Sequence, residues 1–69
     1  MTQEELDAVQ GKCDAMHGLL TDVAVCSVLT EVHRRAGDAS AVEGCQQTLR
    51  TALAMIDGHL SEVRKAVLP

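Results

Sequence analysis

No phenylalanine, tyrosine or tryptophan occurs in this chain of 69 residues. Stacking of bases on aromatic rings, the usual way to hold single-stranded nucleic acid, is therefore excluded. So are aromatic anchors on the protein's own side of an interface. Any core must be built from Leu, Val, Ile, Met, Cys and Ala, which pack as thin layers between close helices. Basic residues are also scarce, with 6 Lys and Arg against 10 Asp and Glu for a net charge of −4. A general nucleic-acid binder needs a basic stripe that displaces counterions. Four of the six cations fall in two pairs, Arg34-Arg35 and Arg64-Lys65. Both pairs lie near expected helix C-termini, where cations complement the dipole.

The cysteines lack a framework. Cys13, Cys26 and Cys45 are odd in number and form no Cys-x-x-Cys pair. They read as reduced thiols in a cytosolic setting, packing as small apolar residues. The start of the chain is acidic (Glu4, Glu5, Asp7), the opposite of a secretory signal. Uninterrupted apolar runs fall far short of the roughly 20 residues that span a bilayer. A cytoplasmic protein with no membrane association is expected.

Residues 1–69 allow one domain. A core of this size rarely supplies more than about 3–5 kcal/mol. With disulfides and metal frameworks missing from the pattern, self-association is the expected supplement.

Periodicity supplies the fold class. Thr2 with Glu5, and Ser40 with Glu43, both match the capping box that opens a helix. After Ser40, Val42, Cys45, Leu49, Leu53, Ile56, Leu60, Val63 and Val67 recur every three or four residues. On a helical wheel they fall within about 80°. This seam suits one neighbouring helix at coiled-coil-like geometry. The earlier arm is less regular. Leu6, Val9, Cys13, Met16 and Leu20 form one stripe, while Val25, Cys26, Val28, Leu29 and Val32 point roughly 160° away on the same wheel. Two arrangements fit these opposed stripes. Either the first arm kinks or breaks near Gly18 to Asp22, with Thr21 capping a second helix, or it is continuous and its halves face different partners. The kinked or broken arm is the one expected. Gly37 is the expected left-handed residue closing the arm, and the short link to Ser40 makes the arms antiparallel. Counted from that link, Gly18 should face His59, and Gly18 and Gly58 should let the arms approach closely.

The sequence thus predicts an all-α, antiparallel helical hairpin with helices at about 3–17, 21–36 and 41–67, assembled as a dimeric helical bundle. The alternative is a compact three-helix bundle. In either arrangement some apolar surface needs covering, and a second copy is the simplest cover.

Candidate chemistry is thin. Cys13 and His17 share a helix face, with His59 expected nearby, and such ligands suit zinc. No four-ligand set emerges, and packing is the plainer role. Nucleophilic catalysis needs a Cys or Ser beside a His with an orienting carboxylate, and no such constellation is visible. Paired carboxylates occur at Glu4-Glu5, in a first helical turn where acids belong. No enzyme, cofactor or metal site is expected. The best candidate partner surface is the ridge of Val25, Val28 and Val32, rimmed by Arg34 and Arg35. An apolar ridge with a charged rim is how helices recognise partners. The function expected is a small interaction module, a regulator, adaptor or inhibitor that occludes an unidentified protein and pairs with itself. A metal- or thiol-based sensor, or a structural subunit of a larger helical assembly, is the alternative.

Overall fold

The computed structural model of the chain describes residues 1–68, and Pro69 lies outside them. It is an all-α helical hairpin. Helix α1 spans Gln3–Arg35 and α2 spans Ala39–Val67. The pair forms a rod of 52 × 15 × 13 Å.

Thr2 opens α1 as expected. Its hydroxyl accepts the Glu5 amide at 3.1 Å, and the Glu5 carboxylate accepts the Thr2 amide at 3.3 Å. Two orphan donors are satisfied at once. The other end closes through Gly37, whose φ of 74° is the left-handed value that favours glycine. The Gly37 amide donates to the Arg34 carbonyl at 3.1 Å, and the Asp38 amide donates to the His33 carbonyl at 3.0 Å. This is the double bond pattern of a Schellman cap.

Three expectations are corrected here. First, Asp38, not Ser40, caps α2: its carboxylate accepts the Ala41 amide at 3.1 Å. The Gly37 turn leaves Asp38 already in a non-helical conformation (φ −90°, ψ 82°), so the helix begins before Ser40 is reached. Second, α1 is one uninterrupted helix through Gly18 to Asp22. The Thr21 hydroxyl donates to the His17 carbonyl at 3.2 Å instead of capping a new helix. The described residues form two helices, not three. Third, an ideal Cβ placed on Gly11, Gly18, Gly44 or Gly58 would meet no atom within 4 Å. These glycines mark no close approach between the arms.

The seam also differs from the apolar stripes. On α1 the half-buried or buried positions are Val9, Lys12, Met16, Leu19, Val23, Cys26, Thr30 and His33. On α2 they include Val42, Cys45, Leu49, Ala52, Ile56, His59 and Val63. Both rows alternate spacings of three and four, the heptad of a two-helix seam. Counted outward from the turn, His33 lies level with Val42, Thr30 with Cys45, Cys26 with Leu49, Val23 with Ala52, Leu19 with Ile56, and Met16 with His59. His59 therefore sits at the level of Met16 rather than Gly18. Among the described residues, only Thr30 (7% exposed) and Ala52 (5%) are buried. The buried Thr30 hydroxyl is satisfied inside α1 by the Cys26 carbonyl at 2.7 Å. Lys12 is half-buried in this row, as the aliphatic stem of a lysine allows.

An averaged reading alters one further expectation. Over 18 residues of α1 the mean hydropathy reaches 1.3, so this helix is long and apolar enough to cross a membrane by length and composition. The expectation to the contrary rested on uninterrupted runs, which residues such as Thr21 and Asp22 keep short. A bilayer responds to the sum over the helix rather than to the longest run.

Candidate functional surface

Two rows of side chains bound the seam, one on each edge of the hairpin. On the first edge a shallow groove brings Leu19 and Asp22 of α1 beside Thr48, Thr51 and Met55 of α2. On the second, near the turn, Arg34 lies with Ala39 and Val42. These groupings agree with the pairing counted from the turn. The concavities are open grooves.

The ridge singled out from the sequence faces away from α2. Val25, Val28 and Val32 are 52%, 64% and 53% exposed. With Ala24 and Leu29, the first two form a facet with almost no polar surface. Continuity of α1 explains the exposure. An unbroken helix packed on one neighbour turns one stripe inward, and here that stripe is Val23, Cys26 and Thr30. The ridge, rotated away from it, is left on the outside.

The two arginines at the rim separate. Arg35 shares a groove with Ser27, Val28, Glu31 and Val32, and so belongs to the ridge. Arg34 lines the groove beside the turn instead. Glu31 ties them together, accepting from Arg34 Nη1 at 2.8 Å and from Arg35 Nε at 3.1 Å. Both pairs are solvent-exposed, so they orient the rim more than they stabilise the fold.

The residues considered for metal or thiol chemistry are not gathered. Cys13 and His17 are exposed on α1, whereas His59 is half-buried in the seam. Among the described residues no group of three His, Cys, Asp or Glu side chains is placed to hold a metal ion. All three cysteines are free thiols.

Residues absent from the apolar stripes prove central to the packing: Lys12, Leu19, Val23, Thr30, Ala52 and His59. Their three-four spacing was available in the sequence, but a search guided by the largest apolar residues passes over Lys, Thr, Ala and His. Leu53, Leu60 and Val67, expected in the seam, are instead 53%, 42% and 51% exposed. They stand one step to its side.

Comparison with known protein families, curated proteins and solved structures finds no match for this chain.

Proposed function

We propose that this chain is a non-enzymatic protein-binding module, a small regulator, adaptor or inhibitor that works by covering a surface of another protein. The observation that carries this reading is the Val25–Val28–Val32 ridge, more than half exposed at each valine and turned away from α2. A helix presenting apolar side chains at i, i+3 and i+7 is built to lie in a groove of a partner. Arg35 and Glu31 border the ridge with charges of both signs, and Arg34 extends that border toward the turn. Charged neighbours at a rim set orientation and encounter rate more than affinity. The three free thiols suit a reducing compartment, which favours the cytoplasm as its location. Self-association belongs to the same proposal, because the described residues bury so little.

Affinity capture from the native host with wild type and Val28→Asp tests the reading. A protein retained by wild type and lost by the variant, with both equally helical, is the expected result. Identical captured sets would remove the ridge as the binding surface.

A further inference from the structure

Along one edge of the hairpin, Leu6, Cys13 and Leu20 of α1 run beside the seam, each seven residues from the next. Along the same edge of α2 run Leu53, Leu60 and Val67, spaced likewise. Cys13 and Leu20 lie four residues beyond the seam positions Val9 and Met16. Leu53, Leu60 and Val67 stand in the same relation to Leu49, Ile56 and Val63. In an antiparallel pair these two rows fall on one side, and the pairing counted from the turn brings Leu20 within two residues of the level of Leu53, Cys13 of Leu60, and Leu6 of Val67, an offset of about 3 Å along the rod. All six are exposed, the five large ones by 42–55%.

The width of this apolar surface shows what kind of neighbour it needs. A two-helix seam requires apolar residues at two positions in seven, whereas a helix inside a bundle uses three. Helix α2 has three: its two seam rows and the Leu53–Leu60–Val67 row. The hairpin provides α2 with one neighbour, so the third row is left without one. The accessible surface of 4985 Å² makes the same point in area. A compact monomer of 7.3 kDa exposes about 4,200 Å². The excess, about 800 Å², matches one partner's share of a standard-size interface. The six residues carry no charge, so a copy meeting them through a two-fold axis faces no like-charge repulsion. Gln10, His17, Arg50 and Asp57, on the outer side of the two rows, give the face a polar rim.

We infer that a second copy of this chain covers the face, joining two hairpins into a four-helix bundle whose two-fold axis runs along the rod or crosses it at the level of Cys13. This rests on the reading of the chain as a protein-binding module and assigns to self-assembly a face distinct from the Val25–Val28–Val32 ridge. Whether the axis runs along the rod or across it, Cys13 of one copy lies level with Cys13 of the other.

Sedimentation equilibrium from low to high micromolar concentration tests the inference, together with a short bis-maleimide cross-linker. Wild type is expected to dimerise and to cross-link through Cys13, with cross-linking abolished in Cys13→Ser. Leu60→Asp places a carboxylate in the buried face and should weaken the dimer by about 100-fold or more, while its circular dichroism stays helical. Should that variant lose helicity, Leu20→Lys, at a position 55% exposed, carries the test. Val28→Asp should leave the dimer intact, and Leu60→Asp should leave capture of a ridge partner intact. The inference is overturned if wild type remains monomeric at high micromolar concentration. It is equally overturned if Val28→Asp rather than Leu60→Asp dissolves the dimer, or if a monomer floats with vesicles of phosphatidylcholine and phosphatidylglycerol. In that last case lipid, not a second copy, covers the face.

Discussion

Asp38 accepts the Ala41 amide through its carboxylate at 3.1 Å while its own amide donates to the His33 carbonyl at 3.0 Å. One residue thus closes the first helix and opens the second. The connection needs little more than Ala36 and Gly37 to reverse the chain, which explains how two long helices meet in register from the turn outward.

The first prediction concerns that double role. Asp38→Ala should lower stability by about 1 kcal/mol, the usual cost of losing a cap. Ser40→Ala, inside the first turn of α2, should cost much less. Thermal or urea unfolding followed by circular dichroism compares the two, and a larger loss from Ser40→Ala would return the cap to Ser40.

Glycines make the second prediction. Gly37→Ala forces a Cβ into the left-handed region and should cost about 1–2 kcal/mol. Gly18→Ala and Gly58→Ala meet open space on continuous helices, so each should add up to about 1 kcal/mol. Destabilisation by Gly18→Ala would instead indicate that α1 bends there.

The third prediction probes the seam. Ala52, 5% exposed, lies level with Val23. Ala52→Leu should overpack this layer at a cost of about 1–3 kcal/mol. Leu53→Ala, next along the chain but outside the hairpin seam, should cost the isolated hairpin little. Unfolding at concentrations too low for self-association isolates that term. Equal losses would mean that Leu53 shares the intrachain core.

Thiol labelling gives a fourth. At low protein concentration Cys13, exposed on the edge, should react with maleimide well before Cys26 and Cys45, which are half-buried in the seam. Mass spectrometry of partially labelled protein reads the order directly. Faster labelling of Cys45 would show that the hairpin opens from the turn.

Much of the hairpin was legible in the sequence because its determinants are local. The Thr2–Glu5 box, the left-handed Gly37 and the three-four periodicity after Ser40 each act within a turn or two of chain. The first arm was ambiguous in the sequence for a physical reason. Its apolar residues surround the helix, so averaged over its length α1 has almost no net amphipathic direction, whereas α2 has a strong one. Two opposed stripes look like a break when every large apolar residue is assumed to be buried inside one chain. The structure keeps the helix unbroken and leaves Val25, Val28 and Val32 outside.

The sequence alone determined that this protein is helical, that the chain reverses at Gly37, and that its apolar surface exceeds what so short a chain can hide. Only the tertiary structure decided which stripe faces inward. Periodicity fixes the angles between side chains on one helix, but not the rotation of that helix against its neighbour. That rotation puts Lys12, Thr30 and His59 in the seam, and Leu20, Leu53 and Leu60 beside it.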